Sequence, residues 1–218
     1  MHLNAALIRF RRLTVAEIPL LYHWITNDPV IDRIWNGGVQ PTFDQVTRKY
    51  QAYVTGARPT TPYLILYGDT PIGYIQTYLW QDYPEYGQYL DLTAAASLDV
   101  LIGEAAYRNK GLGPALLTGF LREHVFCNPD VRSCIITPEV GNTAAIRAYE
   151  KAGFRHVRTV TGIPDEPGPV YFMAISREDC LEREAGAALH RLTPEDGSGP
   201  SWPTHGASWP TPRGSNRS

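Results

Sequence analysis

Two periods run through the hydrophobic pattern of this chain, about 3.6 residues where helices are expected and 2 where strands are. Residues 7–12 (LIRFRR) read as a short first strand. Thr14-x-x-Glu17 is a capping box, and Ile18, Leu21, Tyr22 and Ile25 continue it as an amphipathic helix that tolerates Pro19 in its first turn. Residues 27–41, rich in Gly and Asn, read as a loop carrying Trp35. Thr42-x-x-Gln45 caps a second helix to about residue 54, with Phe43, Val46 and Tyr50 on one side. Runs 62–67 and 72–80 read as a hairpin around Gly68-Asp69-Thr70-Pro71, with Gly73 marking a bulge or a close backbone contact. One face of the second run carries Ile75, Thr77 and Leu79. The other carries Tyr74, Gln76, Tyr78 and Trp80, a mixture suited to lining a pocket.

Residues 81–92 are expected to form a loop with three acids, Asp82, Glu85 and Asp91. A strand at 97–102 then runs through a turn into a helix whose apolar positions, Leu112, Leu116, Leu117, Phe120 and Leu121, share one side. Residues 131–137 read as a strand, and Asn142 caps a helix over 143–151 that stops at Gly153. Strands at 154–161 and 170–176 close the pattern. The order β-α-α-β-β-β-α-β-α-β-β is an α/β mixture without the regular alternation of a doubly wound fold.

At 218 residues the chain can bury a full core. A net charge of −2, with no basic run, argues against nucleic acid as a partner. No apolar run is long enough for a membrane span, and the N-terminus does not resemble a signal peptide, so a cytoplasmic protein is expected. Cys127, Cys134 and Cys180 form no close motif with the histidines and read as free thiols, with no metal site. From Gly186 to Ser218, 15 of 33 residues are Gly, Pro or Ser, which cannot supply a core. Residues 184–218 are therefore expected to be a disordered tail.

The turn Arg108-Asn109-Lys110-Gly111-Leu112-Gly113 has the chemistry of a phosphate site. It offers residues without Cβ, the unpaired N–H groups of a helix start, and two cations. It matches neither the P-loop nor GxGxxG. Elsewhere, aromatic residues and acids recur together, which suits a cationic ligand.

RNKGLG resembles the [QR]xxGx[GA] acyl-CoA motif of the GCN5-related N-acetyltransferase (GNAT) superfamily, and NTAAIRAYEKAGF resembles the segment after that fold's fifth strand. Within the superfamily the chain looks most like bacterial aminoglycoside 6′-N-acetyltransferases, through RIWNGG, TPYLILYGDTPIGYIQTYLW, SLDVLIG, IRAYEKAGF and GPVYFM. The resemblance implies an α/β (α+β) GNAT domain over residues 1–183, with a central, mostly antiparallel splayed sheet flanked by helices. It implies acetyl-CoA as co-substrate without a metal, and direct transfer to the 6′-amine of a small polycationic sugar, by a monomer or homodimer.

The same resemblance assigns roles. Asp99 matches the strand carboxylate that pairs with the incoming ammonium and accepts its proton. Tyr149 matches the tyrosine near the departing sulfur. Acetyl-CoA is expected along Val100, Leu101 and Ile102, at Arg108 to Gly113, and at Asn142, Ala145 and Tyr149. The acceptor is expected at Trp35, Tyr50, Tyr78, Asp91, Asp99 and Glu139. One departure stands out: where well-known members carry an acid after the fifth strand, this chain has Thr137, with Glu139 two positions later. The alternatives are acylation of a hydroxylysine-type siderophore precursor or another small amine, and a non-catalytic acyl-CoA-binding regulatory domain.

Overall fold

The computed structural model describes residues 3–84, 94–163 and 168–183. Seven strands form one sheet: β1 (Ile8–Arg12), β2 (Thr61–Tyr67), β3 (Thr70–Leu79), β4 (Ala95–Ile102), β5 (Ser133–Ile136), β6 (Arg155–Val160) and β7 (Val170–Ser176). Their order is β1-β2-β3-β4-β5-β7-β6, and only the β4–β5 pair is parallel. This is the mostly antiparallel sheet the resemblance implies.

The splay is visible in the register. β3 stays paired with β4 from Leu79–Ala96 to Gly73–Ile102, whereas β5 pairs with β4 only from Ala95 to Ser97. Beyond Ser97 the two parallel strands part. The polar groups on the β5-facing edge of the next five residues, which include Asp99, are left for something other than the sheet. Gly73 does both jobs expected of it. A bulge interrupts the β2–β3 register beside it, and a Cβ there would lie 2.3 Å from the Leu101 carbonyl oxygen.

Among the described residues five α-helices cover the two faces: α1 (Ile18–Asn27), α2 (Pro29–Asn36), α3 (Phe43–Val54), α4 (Leu112–Phe120) and α5 (Thr143–Ala152). The capping box ahead of α1 forms, Glu17 accepting from the Thr14 N–H and hydroxyl at 3.0 and 2.8 Å. Its first turn, Val15–Glu17, is 3-10. α3 begins as expected, with Thr42 and Gln45 bonding each other's backbone N–H groups. Val46, Tyr50 and Tyr53 are its buried positions, while Phe43 is exposed. Asn142 caps α5 through the Ala145 N–H at 3.3 Å.

α2 stands within residues 27–41, whose Gly- and Asn-rich composition reads as loop. Asp28 caps it, its Oδ1 accepting from the Val30 and Ile31 N–H groups at 2.9 and 3.3 Å. Pro29 occupies the first helical position, where its missing N–H costs nothing, and the helix stops at Gly37.

α4 and α5 pack on one face of the sheet. All five apolar positions expected along the α4 segment are buried there, beside Ile75, Leu98, Cys134 and Met173. α1 to α3 pack on the other face, where Leu21, Trp24, Ile25 and Tyr50 meet Leu64, Tyr74 and Leu101. Leu98 and Leu101 therefore serve different layers, and Asp99 lies between them where the sheet splits. The expected tail, residues 184–218, and the acid Asp91 lie outside the described residues. Among the described residues no helix is long and apolar enough to cross a membrane. Cys127, Cys134 and Cys180 are free thiols.

Candidate active site

A cavity of about 1190 Å³ opens between α2, α3 and the split in the sheet. Trp35 and Asn36 wall it from α2, Gln45, Lys49 and Tyr53 from α3, and Gln76 and Tyr78 from β3. Asp99 of β4 and Thr137, just past β5, form its inner side, with Trp80, Ile163 and Phe172 as an apolar floor. Amides, hydroxyls and flat rings dominate this wall. Such a surface hydrogen-bonds a hydroxylated ligand and stacks on its apolar faces.

Asp99 is held by its register partner. Gln76 Nε2 donates to Asp99 Oδ2 at 2.7 Å, and the Tyr74 hydroxyl donates to Gln76 Oε1 at 2.7 Å, which fixes the amide's orientation. Oδ1 has no hydrogen-bond donor among the described residues. Burial raises the Asp99 pKa above the usual carboxylate value, while the Gln76 donor and the Lys49 charge pull it back. The result is a carboxylate anchored through one oxygen on the wall of an open cavity.

On the other side of the split lies the turn from Arg108 into α4. Asn109 and Gly111 both adopt left-handed backbone, φ 57° and 80°, and no side chain among the described residues caps the helix. A Cβ on Gly111 would meet nothing within 4 Å, so the turn is open to an approaching group, and the first-turn N–H groups of α4 face it. Gly113 serves a different purpose: its Cβ position lies 3.1 Å from Ala148 Cβ, which lets α4 and α5 pack closely. Lys110 is exposed beside this turn. Uncapped N–H donors, left-handed backbone and one cation fit the diphosphate of coenzyme A.

Arg108 is placed differently from expectation. Its Nε and Nη2 donate to the carbonyls of Ile102 and Gly103 at 2.9 and 2.7 Å, and its Nη1 pairs with Asp28 Oδ2 at 2.7 Å. The guanidinium is committed to the end of β4 and the start of α2 rather than turned to the open side of the glycine turn. Leu112 is buried in the core below the turn. Val100, Leu101 and Ile102 continue β4 past its last pairing with β5, so their backbone groups line the split.

Tyr149 of α5 is buried in the α4–α5 layer, its ring 6.1 Å from that of Phe154. Its hydroxyl has no hydrogen-bond partner among the described residues. Burial pushes the phenol pKa far above its usual value, and the charge of Asp99 pushes it further. Asp99 thus faces the cavity beside α2 and α3 while Tyr149 belongs to the α4–α5 layer. Asn142 and Ala145 sit together in the first turn of α5.

Of the six acceptor residues expected from sequence, Asp91 lies outside the described residues and the other five divide three ways. Trp35, Tyr78 and Asp99 line the cavity. Tyr50 does not: it is fully buried in the core, where its hydroxyl accepts from Trp35 Nε1 at 2.9 Å and positions that ring. Tyr74, expected on the pocket-lining face, is buried behind Trp35 with ring centroids 5.9 Å apart. Glu139 is also absent from the wall, and it pairs with Arg33 of α2 at 3.5 Å. Lys49, Tyr53, Tyr83 and Phe172 line the cavity without having been singled out. Periodicity marks Tyr53 and Phe172 only as buried positions, and nothing local distinguishes Lys49 from a solvated lysine. Among the described residues no group of three or more His, Cys, Asp or Glu side chains is placed to hold a metal ion.

Comparison with known proteins converges on one family. Residues 14–162 match the family model described as an acetyltransferase (GNAT) domain. The chain is 31% identical over 191 residues to aminoglycoside N(6′)-acetyltransferase type 1 of Klebsiella pneumoniae, covering 83% of this chain and 88% of that protein. It is 31% identical over 181 residues to the enzyme of the same name from Serratia marcescens, covering 78% and 84%. Among solved structures, aminoglycoside acetyltransferase AAC(6′)-Ib in complex with coenzyme A and kanamycin superposes with a TM-score of 0.71 at 33% identity, covering 82% of this chain and 99% of that one. A spermidine N-acetyltransferase from Vibrio cholerae, at 16% identity and a TM-score of 0.65, shares the fold.

Proposed function

The chain belongs to the GNAT acetyltransferase family, and from that premise we propose how its residues move an acetyl group from acetyl-CoA to the 6′-amine of an aminoglycoside. The observation that carries the reading is Asp99: a carboxylate anchored through one oxygen, at the point where the sheet splits between an acceptor cavity and a cofactor turn.

The acceptor arrives as an ammonium, which is not a nucleophile. Asp99 Oδ1 pairs with it and takes a proton, directly or through a water, while Trp35 and Tyr78 hold the sugar ring against the wall. An ionised Asp of ordinary pKa is a weak base for an alkylammonium. The raised pKa of Asp99 narrows that mismatch, and its negative charge holds the amine in place. Acetyl-CoA supplies the thioester, its diphosphate on the N–H groups of residues 109–113 and its arm along β4 toward α5. The amine nitrogen bonds to the acetyl carbon as the carbon–sulfur bond breaks. Backbone N–H groups of the unpaired β4 edge, from Val100 to Ile102, donate to the thioester oxygen as charge grows there. The Tyr149 hydroxyl, kept protonated by burial, hydrogen-bonds to the departing sulfur, and the second proton lost by the nitrogen reaches that sulfur by relay through the hydroxyl or water, so the phenol ends as it began.

The acceptor class is a small polycationic amine; neither nucleic acid nor a membrane takes part, and the enzyme works as a monomer or homodimer in the cytoplasm. Release of coenzyme A thiol tests the reading. The full chain with acetyl-CoA is assayed against kanamycin, tobramycin, amikacin and gentamicin, beside N6-hydroxylysine and simple amines. Saturable turnover is expected on 6′-amino compounds and is lost when that amine is absent or blocked. Turnover confined to hydroxylysine would replace this reading with siderophore acylation, and binding without turnover on any amine would leave an acyl-CoA-binding domain.

A further inference from the structure

One carboxylate joins the two halves of this site. Asp28 Oδ1 caps α2 through the N–H groups of Val30 and Ile31, and Oδ2 holds Arg108, the first residue of the cofactor turn, at 2.7 Å. The same guanidinium clasps the carbonyls of Ile102 and Gly103 at the end of β4. A second fastening lies alongside. Trp24 Nε1 donates to Glu104 at 2.9 Å, and the Trp24 ring lies so close to Gly103 that a Cβ there would come within 2.3 Å of it. α2 in turn delivers Trp35 and Asn36 to the acceptor cavity, and Asn36 is tied back to the Ile25 carbonyl at 2.7 Å.

We infer that Asp28 and Arg108 are positioning residues that couple the cofactor turn to the acceptor wall, so that acetyl-CoA binding orders α2 and Trp35 for the sugar. The inference rests on the assignment of the turn and the cavity to the two substrates. Its physical basis is a shared rigid piece. A diphosphate that settles on residues 109–113 immobilises the turn, and the Arg108 fork passes that order to the first turn of α2 rather than to solvent. The acceptor then meets a wall already set, which makes the two ligands bind cooperatively. The pair is only about three-quarters buried, 25% and 27% exposed, so its charge component is sensitive to salt.

Asp28→Asn separates the coupling from the fold. Asparagine caps as well as aspartate, so α2 keeps its N-terminus and loses only the ion pair. Hydrogen–deuterium exchange is read on the full chain with and without saturating acetyl-CoA. In the wild type, acetyl-CoA slows exchange over residues 29–36 by at least ~5-fold, the lower end of ordinary coupling between sites. In D28N the turn at 109–113 stays protected by acetyl-CoA, while the effect on 29–36 falls below about 2-fold. Kinetically, D28N raises the acceptor KM and leaves kcat within about 2-fold, as expected when uniform binding is lost. If D28N loses its cooperative melt, Arg108→Lys carries the test from the other partner, since a lysine keeps the charge but not the fork.

An equal response of 29–36 in wild type and D28N, or none in the wild type, overturns the coupling. A chain whose α2 responds to acetyl-CoA but which acetylates no aminoglycoside keeps the coupling and loses the functional reading.

Discussion

Gln76 and Asp99 are register partners across the β3–β4 ladder, and the amide nitrogen of one lies 2.7 Å from the carboxylate of the other. The bond has a fixed direction. Tyr74 donates to the Gln76 oxygen at 2.7 Å, so the Gln76 NH₂ must face Asp99, and its donation favours the ionised form of the acid. Burial favours the neutral form and is the larger influence, leaving the pKa of Asp99 above that of an ordinary aspartate. The proposed mechanism makes two opposing demands of this group: an acid basic enough to share the amine's proton and still ionised when the ammonium arrives.

That balance makes the first prediction. The acid limb of kcat/KM for the acceptor is expected to report the ionisation of Asp99 in the acetyl-CoA-bound enzyme that meets it, and to lie above the reference value for aspartate of about 4. Gln76→Leu removes the donor that stabilises the carboxylate, so the limb moves to higher pH. A profile of kcat/KM against pH at saturating acetyl-CoA checks this, and a limb that stays in place or moves down would mean Gln76 does not set the charge of Asp99.

Asp99→Asn should separate activity from stability. Turnover falls by roughly 100-fold or more, within the range for proton-transfer groups. Stability moves the other way. A carboxyl whose folded pKa lies above its unfolded value binds its proton more tightly in the folded chain. Its contribution is fully present below the unfolded pKa and is lost as pH rises through the folded one. Asparagine cannot ionise, so D99N is expected to melt at or above the wild-type temperature at pH 8, with the gap closing toward pH 4. Thermal melts across that range decide it, and a lower Tm for D99N at pH 8 would contradict the direction assigned to the shift.

Much of the scaffold was legible from the sequence because its signals are local. The Thr42–Gln45 box, the Asn142 cap and the spacing of Leu112, Leu116, Leu117, Phe120 and Leu121 each act within a turn or two of the chain, and each reappears as read. α2 is the exception although its signals are also local: Asp28-Pro29 is a cap followed by a first-turn proline, overshadowed by the Asn and Gly residues that follow. What sequence could not carry was side-chain direction. Arg108 stands next to a glycine turn and reads as a phosphate ligand, but its partner comes from the start of α2. Tyr50 has the right chemistry for a sugar pocket, yet α3 turns it inward to support Trp35. Glu139 had the right charge, and Arg33 of α2 takes it. Each of these depends on which distant element packs alongside, which no window of the chain reports.

Gly111 and Gly113 share a motif but differ in what a side chain would do to them. At Gly111 the space is open and the backbone is left-handed, so Gly111→Ala costs about 1–2 kcal/mol of stability and strains the turn toward a shape that offers its N–H groups less well. At Gly113 the neighbour is Ala148 at 3.1 Å, so Gly113→Val wedges α4 from α5 and costs about 1–3 kcal/mol as overpacking. Calorimetric Kd values for acetyl-CoA beside thermal melts distinguish them. G111A weakens binding more than its loss of stability explains, whereas G113V loses the two in step. Wild-type acetyl-CoA affinity in G111A would remove the turn from the cofactor site.

Tyr149→Phe tests whether a buried tyrosine is chemistry or packing. Its ring belongs to the α4–α5 core, and phenylalanine preserves that volume, so the fold should survive with its Tm nearly unchanged. The hydroxyl has no hydrogen-bond partner among the described residues, so deleting it strands no visible donor or acceptor. Because burial and the Asp99 charge both raise its pKa, the phenol stays protonated throughout the working range and acts as a hydrogen-bond donor, the role proposed for it beside the departing sulfur. Y149F should then lose on the order of 100-fold in kcat, with the KM for acetyl-CoA changed little. The defect should shrink with an acetyl donor whose thiol is more acidic, since a better leaving group needs less help. A kcat equal to wild type, or a defect indifferent to the leaving group, would make Tyr149 a core residue and assign protonation of the sulfur to water.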